Sequence, residues 1–224
     1  MHPFIEPVHQ AFLKEADSTN AIGMKAYMLN KFDFFGIKTP ERDLIVKSYL
    51  KNNTVSNSKE LELVIKELWE FPQREMQYFA IDVFAGHKKL WTTSSIKLIE
   101  HCIINKSWWD TVDGIASDWL GFYFKLFSEQ TFLISSQWNK SNDIWLQRSS
   151  ILFQKSYKKN TDTALLASYI LNCKDNKEFF IRKAIGWALR EYSKTNPDWV
   201  INFVANHKLS ALSEKEALKR IPPK

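Results

Sequence analysis

The chain has 224 residues, 45% of them hydrophobic, with nine tryptophans and only six glycines. This composition excludes a disordered chain and supplies a substantial core, and we predict a single domain over residues 1–224. Because sheets and barrels usually need more turn glycine, the composition favours an all-α fold. The formal net charge of +6 suits a partner rich in phosphate, but it equally suits a soluble protein of any other function.

The two cysteines, Cys102 and Cys173, lie in apolar helical stretches. We expect two buried, reduced thiols and neither a disulfide framework nor a zinc site. The start of the chain lacks the basic and apolar regions of a signal peptide, and no run of 18 apolar residues occurs. These features predict a cytoplasmic protein that does not interact with membranes.

Helical periodicity runs along the chain from about Asn20 onward. Apolar residues recur at i, i+3, i+4 and i+7 between short polar joints, and no segment competes as a strand. Pro40, Pro72 and Pro197 lie near the predicted helix boundaries. The clearest apolar stripes are Leu61-Val64-Ile65-Leu68-Trp69, Ile96-Leu98-Ile99-Cys102-Ile103 and Ala164-Leu165-Ala167-Ser168-Ile170-Leu171.

Polar residues predict where three of these helices start. Thr39 is a candidate N-cap followed by Pro40 at the first helical position, and Ser58 precedes two glutamates in a first turn. Ser213 and Glu216 have the spacing of a capping box, which predicts that a last helix opens at Ser213.

A repeat of helix pairs is predicted from four similar segments. Arg74, Asp113, Arg148 and Lys183 occupy equivalent positions in them, with offsets of 39, 35 and 35 residues. These offsets are near the period of two-helix repeats of the HEAT kind, although a non-repeating helix bundle also fits them. In such a stack, residues about 35 apart become neighbours on one concave face, so Asp113, Arg148 and Lys183 should converge.

The strongest candidate for a functional site surrounds Asp113. Trp109 and Asp113 lie at i and i+4 of one helix, one above the other. Lys183 and Trp187 have the same spacing on another helix. Indole rings beside a carboxylate and several cations are typical of a surface that tracks a sugar-phosphate backbone. The pattern alone nevertheless favours a plainer interpretation, in which the tryptophans are core residues and Asp113 pairs with Arg148 to join two repeats.

Four segments spread over nearly the whole chain carry a family resemblance. They are Phe35–Arg42 (FGIKTPER), Lys106–Asp113 (KSWWDTVD), Asn142–Arg148 (NDIWLQR) and Lys177–Tyr192 (KEFFIRKAIGWALREY). In this order they resemble the alkylpurine DNA glycosylases of the HEAT-like-repeat family, the AlkD type of DNA alkylation repair enzyme. The resemblance implies an α-solenoid of stacked helical repeats that holds duplex DNA in a concave groove.

The resemblance also implies a reaction and its residues. The reaction is hydrolysis of the N-glycosidic bond of cationic alkylated purines, such as 3-methyladenine and 7-methylguanine, in double-stranded DNA during base excision repair. Trp109 and Trp187 would flank the deoxyribose, Asp113 would face its anomeric carbon, and Arg148 would hold a nearby phosphate. Further contacts to the DNA backbone are implied for Tyr27, Thr39, Lys183 and Arg190.

Two other functions fit a helical chain of this kind. One is a catalytically inactive HEAT-like protein that only binds DNA. This function is disfavoured because all four central site residues are present, namely Trp109, Asp113, Arg148 and Trp187. The other is a protein-binding helical scaffold, for which a basic and aromatic face is less suited than an acidic or apolar one. We therefore expect a monomeric, monofunctional glycosylase that needs no cofactor and no metal.

Overall fold

The computed structural model describes residues 1–221, and over that range the chain is helical without a β-strand. One isolated β-bridge joins Asp33 and Gln73. The predicted all-α fold is thereby confirmed. Contacts divide the chain into two compact units, of which the first is Met1–Leu98 and the second begins at Ile99. The single domain over residues 1–224 stays a prediction.

The first unit packs its helices around apolar stripes of the kind that the sequence predicts. The stripe from Leu61 to Trp69 is buried as expected, and Pro72 lies in the joint that follows it. The helices are α1 (Glu6–Lys14), α2 (Ser18–Tyr27), α3 (Thr39–Asn52), α4 (Ser58–Glu70), α5 (Arg74–Gly86) and α6 (Ser95–Ile104), the last of which continues into the second unit.

After the end of α6, the second unit continues with a long helix that changes its winding. The α-helical segments α7 (Trp109–Gly114) and α8 (Gly121–Leu126) are joined by a π-helical segment, Ile115–Leu120. The remaining helices follow in short succession. They are α9 (Thr131–Asn139), α10 (Ile144–Leu152), α11 (Thr163–Cys173), α12 (Phe179–Tyr192), α13 (Pro197–Asn206) and α14 (Ala211–Leu218).

Four hydrogen bonds of the second unit match the predicted repeat length. Each joins residues 34 to 36 apart, which is the offset at which successive helix pairs are in register. The repeat is therefore a structural one in this unit. The pairs are Ser135 with Tyr169, Asn139 with Cys173, Asp113 with Arg148, and Gly121 with Tyr157.

The predicted helix starts are close to the observed ones but not identical. Helix α3 begins at Thr39 with Lys38 as its N-cap, and α4 is capped by the Asn57 side chain, which accepts from the Lys59 and Glu60 amides. The last helix opens at Ser210, whose hydroxyl accepts from the Ser213 amide. The capping-box interpretation of Ser213 was wrong because an earlier serine already caps the helix, and this leaves Glu216 available for another role.

A buried carboxylate fixes the segment before α3. Glu75 is fully buried and accepts hydrogen bonds from the backbone amides of Phe35, Gly36 and Ile37 at 3.1, 2.9 and 3.2 Å. Burial raises the pKa of the Glu75 carboxyl, although the three amide donors oppose this shift. Gly36 has a φ of +91° and lies against the Asp17 carbonyl, so a side chain there would clash. The segment leading to Thr39 is therefore held from both sides.

Candidate functional site

Asp113 and Arg148 form a two-pronged ion pair in the second unit. Arg148 Nε lies 2.7 Å from Asp113 Oδ1, and the second terminal nitrogen of Arg148 lies 2.8 Å from Asp113 Oδ2. The Arg148 side chain is 1% exposed and that of Asp113 is 15% exposed. The carboxylate is thus held in one orientation by parallel hydrogen bonds, with one edge left near the surface.

The other side of the Arg148 guanidinium is also occupied. Its first terminal nitrogen donates to the Phe180 carbonyl oxygen in the first turn of α12. The Phe180 ring packs against the rings of Trp108 and Trp145, with centroids 5.1 and 4.9 Å away. Arg148 therefore links three helices, α7, α10 and α12, and its contact with phosphate stays a prediction.

Asp113 lies two residues before the π-helical segment Ile115–Leu120. Its carbonyl oxygen accepts a hydrogen bond from the Ser117 hydroxyl at 2.8 Å. Single π-helical turns within α-helices are frequent at functional sites, where they change the direction of the side chains that flank them. The winding change near Asp113 is thus an additional local signal for the site that the sequence analysis placed around this residue.

Four cationic side chains surround the Trp187 ring within the described part of the second unit. The cationic groups of Arg148, Lys183, Arg190 and Lys155 lie 5.2, 5.2, 5.8 and 5.9 Å from its centroid. Each distance is within the range of cation–π attraction, which contributes about 0.5–2 kcal/mol per cation. Sequence analysis missed Lys155, which stands three residues after the end of α10 and carries no helical-repeat signal.

The indole N–H of Trp187 is buried and has no hydrogen-bond partner among residues 1–221. An unsatisfied buried donor costs about 1–3 kcal/mol, a cost that core tryptophans usually avoid. Trp187 is half-buried and packs against the hydrophobic core of the second unit, but its unpaired donor and charged neighbours distinguish it from Trp69 and Trp119, which are fully buried.

Glu216 on α14 joins two of the cations. Its carboxylate lies 2.7 Å from Lys183 Nζ and 2.6 Å from a terminal nitrogen of Arg190. The hydrogen bond from Lys183 lowers the pKa of the Glu216 carboxyl against the opposing effect of burial, and the charges of Lys183, Arg190 and Lys219 add to the lowering. Glu216 is thus an ionised counter-charge at this site. The expected capping role had hidden it.

The predicted site residues fall into two groups. Asp113, Arg148, Lys183, Trp187 and Arg190 come together in the second unit through the contacts above. The second group comprises the other three predicted site residues. Trp109 is half-buried one turn before Asp113, while exposed Tyr27 ends α2 and exposed Thr39 begins α3 in the first unit.

Arg74, the first of the four predicted repeat positions, also lies in the first unit. It is fully buried, and its guanidinium carbon lies 3.8 Å from the centroid of the Phe32 ring. Its equivalence with Asp113 and Arg148 stays a prediction. The two cysteines are both buried, as expected, and no disulfide joins them.

Two searches of residues 1–221 gave negative results. No group of three or more histidine, cysteine, aspartate or glutamate side chains there could hold a metal ion. In the same range, no helix is both long enough and apolar enough to cross a membrane.

Comparison with known proteins gives the relatives of this chain. Residues 8–221 match a family model described as DNA alkylation repair enzyme. A solved structure described as a predicted DNA alkylation repair enzyme from Enterococcus faecalis is 31% identical, with a TM-score of 0.86 over 93% of this chain and 98% of that one. None of the curated proteins matches.

Two further structures share the fold at lower identity. AlkD2 from Streptococcus mutans is 19% identical, with a TM-score of 0.64 over 89% of this chain and all of that one. The smu.31 protein from Streptococcus mutans UA159 is 17% identical, with a TM-score of 0.61 over 91% of this chain and 98% of that one. These likenesses support the predicted helical-repeat fold.

Proposed function

The chain belongs to the DNA alkylation repair enzyme family, and we propose that it is a monofunctional glycosylase acting on cationic N3- and N7-alkylpurines in duplex DNA. The proposal depends chiefly on one observation, the oriented Asp113 carboxylate in a cluster that also contains the cation-surrounded Trp187. The family supports alkylation repair as such, and the bond that is broken is our proposal, which follows what the resemblance in the sequence implies.

The chemistry of the leaving group explains how one carboxylate can suffice. Alkylation at N3 or N7 gives the purine a formal positive charge. When the bond between the sugar carbon and the purine breaks, its electron pair goes to the purine, which leaves as a neutral molecule. Protonation of the leaving group by a general acid is then unnecessary, whereas most glycosidases need a second carboxyl group for it. Water forms the new bond to the sugar carbon, and its proton goes to a base.

Asp113 is the residue we propose for that base. An ionised carboxylate beside the sugar stabilises the oxocarbenium-like transition state and orients or deprotonates the attacking water. Arg148 would keep the carboxylate in place through its two hydrogen bonds and its bond to the Phe180 carbonyl. Because Arg148 is 1% exposed, we propose this positioning role ahead of the phosphate contact that the resemblance implied.

The tryptophans would contribute through their electron-rich faces. The electron-rich face of Trp187 is proposed to attract the positively charged sugar of the transition state. Trp109, one helical turn before Asp113, is proposed to take the opposite side of the sugar. Lys183 and Arg190, together with Tyr27 and Thr39, remain our candidates for contacts with the DNA backbone.

A base-release assay tests the proposal. Duplex DNA containing 7-methylguanine is incubated with the enzyme, and free base is measured above spontaneous loss. We expect release by the wild-type chain and by Asp118→Asn, which removes an exposed carboxylate in the adjacent π-helical segment. We expect none by Asp113→Asn. If the wild-type chain binds the DNA but releases no base, the result would instead identify a DNA-binding protein. If it neither binds the DNA nor releases base, the assignment is rejected.

A further inference from the structure

Helix α14 lies unusually close to α12 beside Trp187. A Cβ atom placed on Gly186 would come within 2.5 Å of the Glu216 Cβ and 2.9 Å of the Ser213 carbonyl oxygen. The Ser213 hydroxyl also donates to the Arg182 carbonyl oxygen at 2.9 Å, which ties the two helices together. Glycine at position 186 is therefore required for this approach, since any larger residue would move α14 and the Glu216 carboxylate with it.

The spacing on α12 places one cation on each side of that contact. Lys183, Gly186 and Arg190 stand at i, i+3 and i+7, so they share one helix face. The carboxylate of Glu216 meets both cations with separate oxygens, and both cations lie within cation–π range of Trp187. One glutamate on α14 thus determines where two charges of α12 are held.

We propose that Glu216 is a positioning residue that holds Lys183 and Arg190 against Trp187 and limits the attraction of this face for undamaged DNA. The inference rests on the proposed function of the site. Lys183 and Arg190 each donate one hydrogen bond to Glu216, while an ammonium has three N–H donors and a guanidinium five. Donors therefore remain for a phosphate, while one of the two positive charges is cancelled.

Partial cancellation is useful to a repair enzyme because damaged and undamaged DNA carry the same phosphates. Attraction to phosphate alone strengthens binding everywhere and does not accelerate the reaction. The cluster is suited to contact a ligand since its side chains are 13 to 25% exposed, compared with 1% for Arg148. Glu216 would keep the cations in place for the damaged site without adding their full charge to nonspecific binding.

The test compares Glu216→Gln with Glu214→Gln, which removes the same charge from the same helix two residues earlier. Binding of undamaged duplex DNA is measured over a range of salt concentrations. We expect Glu216→Gln to bind more tightly at low salt and to steepen the logarithmic salt dependence by about 1, because one more cation meets phosphate. Glu214→Gln should keep the wild-type slope. An unchanged slope for Glu216→Gln, or an equal change in both variants, overturns the proposal.

Positioning is tested by a second variant that keeps the charge. Glu216→Asp shortens the side chain by one methylene, so we expect the wild-type salt slope with a several-fold lower rate of base release at saturating enzyme. A wild-type rate of base release in Glu216→Asp contradicts the positioning role. This test holds even if Glu216→Gln does not fold. Binding to undamaged DNA is measured without any base release. If the wild-type chain releases no base, that result rejects only the proposed function, and the salt dependence of binding still tests the role of Glu216.

Discussion

Two carboxylates of the second unit meet cations in different ways. Asp113 is matched by a single buried arginine through two parallel hydrogen bonds. Glu216 faces two cations that remain partly exposed, so positive charge is left over. The first arrangement fixes the direction of a reactive oxygen. The second leaves charge and hydrogen-bond donors for a ligand, and the comparison suggests a division between chemistry and binding.

Asp113→Asn should have the largest effect on activity. The amide keeps the shape of the side chain but removes its negative charge, so the transition state loses its main electrostatic support. We expect single-turnover base release to fall by about 100- to 1,000-fold, with DNA binding within a few-fold of wild type. An equal loss of binding and release would mean that Asp113 serves the fold or the DNA contact instead. The measurement is quenched single-turnover kinetics on 7-methylguanine duplex.

Arg148→Ala separates positioning from phosphate binding. Removing one partner of a buried ion pair typically lowers the free energy of unfolding by about 3–5 kcal/mol, because the other charge is left uncompensated. We expect that loss in denaturant unfolding, together with strongly reduced base release. Since Arg148 is buried, the salt dependence of DNA binding should stay as in wild type. A slope reduced by about 1 would return Arg148 to the phosphate contact that the sequence implied.

Gly186→Ala tests the close approach that brings Glu216 to the cations. The added methyl group would meet Glu216 and the Ser213 carbonyl, and overpacking of this kind costs about 1–3 kcal/mol. The matched control is Gly23→Ala on α2, where a Cβ meets nothing within 4 Å and should not destabilise. Equal stability of the two variants by denaturant unfolding would show that the two helices can separate freely.

The smallest expected effect concerns pH and the Glu216 cluster. The pKa of this carboxyl is lowered in the folded protein, so the ion pairs stabilise the fold at neutral pH. The contribution is present above the unfolded-state pKa and is lost as the pH falls through the lower folded-state pKa. The free energy of unfolding of the wild type should exceed that of Glu216→Gln by about 1 kcal/mol at pH 7, as is typical of partly exposed ion pairs. A difference that does not shrink in acid contradicts this origin.

Much of the fold follows from the sequence because periodicity and repeat spacing are local signals. The stripe from Leu61 to Trp69 predicted a buried helix face, and the offset of 35 residues predicted that Asp113 and Arg148 would meet. The spacing of 35 residues predicts this contact because neighbouring helix pairs pack in the same way. Boundaries were less accurate, since a helix can be capped by whichever polar residue comes first, as Ser210 shows.

The details of the site depended on contacts that no spacing rule reports. Glu216 has the spacing of a capping box with Ser213, and only the packing of α14 on α12 reveals its cation partners. Lys155 comes from an irregular joint after α10, where helical periodicity says nothing about direction. The burial of Arg148 was equally hidden, because a sequence pattern does not distinguish a buried cation from an exposed one.

The most direct test of the central claim compares two leaving groups. Single-turnover release is measured from matched duplexes containing either cationic 7-methylguanine or neutral hypoxanthine. A site with one carboxylate and no general acid should release 7-methylguanine at least about 100-fold faster, since the neutral base departs as an unstabilised anion unless it is protonated. Comparable rates for the two bases would contradict the account, because they would require an acid that the proposed site does not include.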